Sequence, residues 1–260
     1  VASAVPAPSD AVTAQHAPTG AQERREALKA VFAEARSCTR CPELAAARQT
    51  VVFGAGNADA DLMFVGEAPG ASEDQQGVPF VGQAGKLLSK LLEEIGLSRE
   101  EVFIANALKC RPPGNRDPLP VEIDNCREYL FRQVELIQPR VICTLGNFST
   151  KLLRGDPTGI TRLHGQPEVM TLGRRRVRLY PIFHPAAALY TPRMLETLRE
   201  DFARLPELLA LAAPEQAAWV PEPGPQEAAR PDPPAPSAPP PPEPGGPATT
   251  AADDEQLGLF

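Results

Sequence analysis

The stretch Leu62-Met63-Phe64-Val65-Gly66-Glu67-Ala68-Pro69-Gly70 runs from four apolar residues straight into a glycine-bounded turn. A short, continuous apolar run stopped in this way reads as a strand buried on both faces. Two further runs have the same form: Val102–Ala105, and Val141–Leu145 closed by Gly146. Val177–Leu179 and Ile182–Phe183 are also strand-like. Between these runs lie stretches of helical period. Glu23–Ala35 precedes the first strand. Ala84–Ile95 repeats Leu87, Leu88, Leu91, Leu92 and Ile95, and Gly96 stops it. Pro120 opens a helix over Val121–Gln138 and Pro139 ends it. A short helix is expected at Phe148–Leu153, and Met194–Leu211 reads as the last amphipathic helix. The alternation predicts an α/β fold, a central and largely parallel sheet with helices on both faces. In such sheets sites lie at the carboxyl ends of the strands. Gly66-Glu67-Ala68-Pro69-Gly70, Asn106 and His184-Pro185-Ala186 fall at those ends and can converge.

The charge is uneven along the chain. It has 260 residues with 26 Lys+Arg against 33 Asp+Glu, a net charge of −7. Read as a whole this argues against contact with phosphates, which need a cationic surface. Residues 213–260, however, hold eight acids and one base, Arg230, so this segment alone carries −7, and the rest balances to zero. Nucleic acid therefore stays open as a partner of the body. The expected organisation is a disordered tail over 1–22, a folded domain over 23–212, a Pro-rich linker over 213–252 and a terminal peptide over 253–260. The linker reading rests on 14 of the 31 prolines. No apolar run approaches the roughly 18–20 residues of a membrane helix. The first residues do not read as a secretory signal.

Five cysteines are too few and too unevenly spaced for a disulfide scaffold, which points to a reducing compartment. Cys38 and Cys41 make a C-x2-C pair, with Cys110 and Cys126 far along the chain. Four thiolates from loops and a helix start suit either a zinc ion or a four-iron cluster, and the spacing does not choose. Cys143 sits mid-strand and reads as core. Asn106 ends a strand, where an Asn serves as well for a turn as for a ligand. Of the three histidines, His16 lies in the N-terminal tail and His164 reads as a solvated loop residue. His184, just before Pro185 at a strand end, is the functional candidate.

Taken in order, these pieces resemble the iron–sulfur, or type-4, uracil-DNA glycosylases. The matching text is Gly66-Glu67-Ala68-Pro69-Gly70, Pro79-Phe80-Val81-Gly82-Gln83-Ala84-Gly85, Asn106, Lys109-Cys110-Arg111-Pro112-Pro113, Asn115-Arg116 and His184-Pro185-Ala186, over about residues 28–210. The resemblance implies a three-layer fold with a four-stranded parallel sheet between helices. It also implies a 4Fe–4S cluster on Cys38, Cys41, Cys110 and Cys126, and hydrolysis of the uracil–deoxyribose bond to leave an abasic site.

The resemblance assigns roles residue by residue. Phe80 stacks on the flipped base, and Gly66 and Ala68 help to form its pocket. Asn106 reads the uracil edge, offering a donor to O4 and an acceptor to N3–H. His184 stabilises the departing anion. Glu67 is the carboxylate available to orient water, because Ala68 stands where better-known uracil glycosylases carry an Asp. Glu73 is either a residue near uracil C5 or a solvated loop acid. The residues themselves add that Arg174, Arg176 and Arg178 either share one strand face toward DNA or lie on a solvated edge hairpin. Lys109, Arg111 and Arg116 are phosphate candidates, and Leu189 or Tyr190 a wedge into the base stack. The rival readings are a glycosylase for other altered bases and a non-catalytic iron–sulfur DNA-binding protein.

The terminal Gln256-Leu257-Gly258-Leu259-Phe260 closely resembles the peptide that plugs the bacterial sliding clamp, with Gln256, Leu257, Leu259 and Phe260 as its contacts. A flexible linker of ~40 residues spans roughly 35 Å, enough to hold lesion and clamp together. The expected protein is a cytoplasmic, nucleoid-associated monomer acting on uracil-containing DNA, without a membrane.

Overall fold

Six strands form one sheet in the computed structural model, which describes residues 20–216. They are β1 (Ala55–Gly56), β2 (Leu62–Gly66), β3 (Phe103–Asn106), β4 (Val141–Leu145), β5 (Glu168–Leu172) and β6 (Arg175–Ile182), in the spatial order β1-β3-β2-β4-β6-β5. The helices are α1 (Ala21–Arg36), α2 (Pro42–Ala47), α3 (Ala71–Gln76), α4 (Gln83–Glu94), α5 (Pro120–Ile137), α6 (Asn147–Arg154), α7 (Ile160–Leu163), α8 (Ala186–Tyr190), α9 (Arg193–Ala203) and α10 (Leu205–Ala210). The inner four strands, β3-β2-β4-β6, are mutually parallel, as expected. Two antiparallel edges enlarge that sheet. β1 pairs with β3, and β5 folds onto β6 as a hairpin closed at Gly173, whose φ of +58° suits the tight turn.

Side chains alternate across the sheet and separate two cores. Met63, Val65, Phe103, Ala105 and Ile142 face α1 and α5, and Leu62, Phe64, Ile104, Val141 and Cys143 face α4, α9 and α10. Cys143 is fully buried, a core residue as read. All five residues of β2 are buried, which explains why its sequence lacks polar alternation.

Two expectations change. The two expected runs, Val177–Leu179 and Ile182–Phe183, join in one strand, and β6 runs through Pro181 to Ile182. β5 ends its pairing at Leu179, so Pro181 falls where the strand has become an edge. The expected helix Met194–Leu211 is two helices that part at Arg204. Pro206 at the start of α10 has no N–H to continue the ladder from α9.

Candidate active site

The carboxyl ends of β2, β3 and β6 bring three separated motifs together. Gly66 pairs in register with Asn106. The loop beyond is tied to the β3 exit by Ala107 N–H donating to the Gly66 carbonyl (2.9 Å) and Leu108 N–H to that of Glu67 (3.0 Å). A cavity of ≈ 210 Å³ opens here, lined by Ala68, Gly70, Glu73, Phe80, Asn106 and His184, with Ala84 beside them. His184 also borders a larger cleft of ≈ 650 Å³ that includes Glu67, Asp117, Asn147 and Lys151. Glu67 thus faces the cleft while its neighbour Ala68 faces the cavity.

Gly66 is required by space. A Cβ there would lie 2.3 Å from Asn106 Oδ1 and 2.8 Å from Phe80 Cζ. Asn106, 2 % exposed, keeps its carboxamide on the cavity wall. Phe80 lies 5.5 Å from the His184 ring, stacked at 29°. Its φ is +54°, a region that costs a non-glycine residue roughly 1–3 kcal/mol and persists only when its surroundings enforce it. Glu73 contributes to that enforcement. Its Oε1 accepts from Val81 N–H (3.0 Å) and Gly82 N–H (2.9 Å), the latter the N-cap of α4. Glu73 is therefore a loop clamp at the cavity wall and not a solvated acid.

His184 has a fixed protonation pattern. Ala186 N–H donates to its Nδ1 (3.1 Å), so the neutral ring carries its proton on Nε2. Burial pulls its pKa down to about 4, against a small opposing pull from Glu73. The ring is thus a neutral N–H donor over the physiological range. Burial, followed by the nearby charge of Asp117, raises the Glu67 carboxyl above its ordinary range.

Several expected DNA contacts are engaged within the protein. Lys109 is 1 % exposed, and its Nζ donates to the Asn106 carbonyl (2.8 Å) and Gln133 Oε1 (2.6 Å). Burial brings its pKa down to about 8, although the neighbouring cysteines oppose the change. It cannot reach a phosphate from there. Arg116 is held by Glu122 and Glu43. Arg111 Nε donates to Asn115 Oδ1 (2.7 Å) in the same loop. Arg174 sits in the β5–β6 turn, outside the strand, and Arg175–Arg178 open β6 at the end of the sheet opposite His184. Arg178 instead reaches the carbonyls of Leu208 and Ala212. His164 is no free loop residue: its Nδ1 meets Asp201 Oδ2 at 3.2 Å and its ring packs on Phe183. Leu189 and Tyr190, 47 % and 87 % exposed, project from α8 directly after the His184 motif.

The family model described as the uracil DNA glycosylase superfamily matches residues 53–208. The type-4 uracil-DNA glycosylase of Archaeoglobus fulgidus is 44 % identical over 193 residues, covering 73 % of this chain and 96 % of that protein. That of Saccharolobus solfataricus is 46 % identical over 188 residues, 70 % of this chain and 87 % of its own. The chain belongs to the type-4 uracil-DNA glycosylase family. The matched region holds the whole cavity.

In this type-4 uracil-DNA glycosylase Cys110 and Cys126 belong to one apolar cluster, and Cys38 and Cys41 pack against it. Arg48 Nη1 donates to Cys110 Sγ (3.2 Å) and its Nη2 to the Cys38 carbonyl (2.8 Å). Lys109 N–H donates to Cys126 Sγ (3.3 Å), and Asn125 Nδ2 to Cys41 Sγ (3.5 Å). Among the described residues no three His, Cys, Asp or Glu side chains close on a single ion. No described helix is long and apolar enough to cross a membrane. The clamp-like contacts Gln256, Leu257, Leu259 and Phe260 lie outside the described residues. Sequence reasoning missed Asp117, Arg99 and the buried role of Lys109.

Proposed function

We propose that the cavity between Phe80, Asn106 and His184 is where this chain hydrolyses the N-glycosidic bond of uracil in DNA, leaving an abasic site and starting base-excision repair. The observation that carries this reading is the meeting of an aromatic face, a buried carboxamide and a neutral imidazole donor in one cavity. A base must leave the duplex to enter it. Phe80 then stacks on the ring. Asn106 donates to O4 and accepts from N3–H, while cytosine presents the reverse pattern and leaves buried groups unpaired. His184 Nε2–H donates to O2 as negative charge gathers on the departing base. Glu67, on the cleft side, orients the water that meets the sugar.

Glu67 must be ionised for that role, and its pKa is raised. We expect kcat/KM to fall on the acid side with a midpoint above the ordinary 4.5. His184, neutral down to about 4, should add no inflection near 6.5. A pH–rate profile of Glu67→Gln checks this: the variant should be slower and lack the acid limb. An unchanged limb in the variant moves the role to another group.

The 4Fe–4S assignment to Cys38, Cys41, Cys110 and Cys126 is supported by the donor set: four thiols with N–H groups aimed at three of the sulfurs, the partners that cluster thiolates take. When bound, such a cluster cross-links the segment after α1, the loop after β3 and the start of α5. Protein purified without oxygen should contain iron and acid-labile sulfide in equal amounts, about four of each per chain, and Cys126→Ser should lose both. Zinc in their place would overturn the assignment. The terminal peptide supports a second attachment, to a bacterial sliding clamp. A pull-down with clamp should lose the chain when residues 256–260 are deleted, and capture that survives the deletion contradicts the reading.

A further inference from the structure

We infer that Arg99 is a positioning residue for base recognition, holding Phe80 in the backbone conformation that aims its ring into the cavity. The inference rests on the reading of that cavity as the uracil site. Arg99 follows Gly96, beyond the end of α4, and does not line the cavity. Its Nη2 donates to the Pro79 carbonyl (2.7 Å) and its Nη1 to the Phe80 carbonyl (3.0 Å), so one planar group fixes two successive peptides. Glu73 grips the second of these from its other edge, through Val81 N–H, and the following peptide through Gly82 N–H. Gly85 completes the seat, since a Cβ there would fall 1.8 Å from the Phe80 carbonyl oxygen. Phe80 is thus held from both sides in the left-handed region that a Phe would otherwise leave.

The geometry gives this clamp a consequence at the base. If the Phe80 peptide relaxes to negative φ, its side chain takes a new direction, and the ring loses its place beside Gly66 and its 5.5 Å stack on His184. Arg99 does not line the cavity, so its effect passes through the Pro79-Phe80 backbone that it holds. A lysine keeps the charge but not the fork, and cannot hold both carbonyls in the same geometry.

The test is a double-mutant cycle on the full chain, measuring excision from a single-stranded uracil oligonucleotide and inhibition by free uracil. Arg99→Gln should lower kcat/KM roughly 10- to 100-fold, the range for losing charge-assisted hydrogen bonds, and should raise the inhibition constant for uracil in step. Arg99→Lys should fall between Arg99→Gln and the native chain. In a Phe80→Ala background, Arg99→Gln should cost less than about 2-fold more, because the ring it positions is gone. An equal loss in both backgrounds, or native kinetics in Arg99→Gln and Arg99→Lys, overturns the role of Arg99 and leaves the uracil site standing. Native kinetics in Phe80→Ala alone overturns both.

Discussion

His184→Ala is expected to lower kcat for uracil release by roughly 10²–10³, about 2.7–4 kcal/mol of transition-state stabilisation. The expectation comes from the ring's hydrogen bonds and surroundings. Ala186 N–H occupies Nδ1 and leaves the proton on Nε2. Burial makes the charged ring unfavourable, with a pKa of about 4. In the proposed reaction the ring therefore meets the departing base as a neutral donor. Its help grows as charge develops on O2, so kcat and kcat/KM should fall together while affinity for an abasic-site oligonucleotide holds. The ring also supports Phe80, so thermal unfolding should be compared. Steady-state kinetics with a loss in KM alone would make His184 a binding group instead.

Asn106→Ala is expected to lower kcat/KM for uracil by roughly 10²–10³, the sum of two buried hydrogen bonds. The same change should narrow the discrimination against cytosine, because the carboxamide that cytosine would leave unpaired is gone. The residue is held from behind as well. Lys109 Nζ fixes its carbonyl, and Gln133 fixes Lys109. Competition between uracil- and cytosine-containing oligonucleotides reads both effects. Native selectivity with a slower rate would place base reading elsewhere.

The parallel centre of the sheet was legible because β2, β3 and β4 are apolar runs bounded by turn residues, and their flanking helices carry clear periods. The edges were not. β1 has two residues, and the arginines of the β5–β6 hairpin suit a DNA-facing strand as well as a solvated edge. Charge density in Arg174–Arg178 says nothing about which end of the strand it occupies, and that end is opposite the cavity. The Arg204 break was hidden because apolar spacing continues across it, and Pro206 tolerates the first turn of the second helix.

The candidate site was legible where chemistry and position agreed. Phe80, Asn106 and His184 lie at strand ends or in a glycine-flanked loop, and the fold gathers them. Lys109 is not legible as a buried residue because it stands beside Cys110 and Arg111 in a loop, while its partner Gln133 lies on a distant helix. Arg99 left no signal, since it binds backbone carbonyls that no side-chain motif advertises. Glu73 was left between two roles because its own partners are likewise backbone groups.

The most direct test is alkaline cleavage of an oligonucleotide carrying one uracil after incubation with the full chain, His184→Ala and Asn106→Ala. The native chain should yield the cleaved strand, and both variants should yield little of it at equal folding and DNA binding. A native chain that yields no abasic product, or variants that match it, would contradict the assignment of the cavity as the site of uracil release.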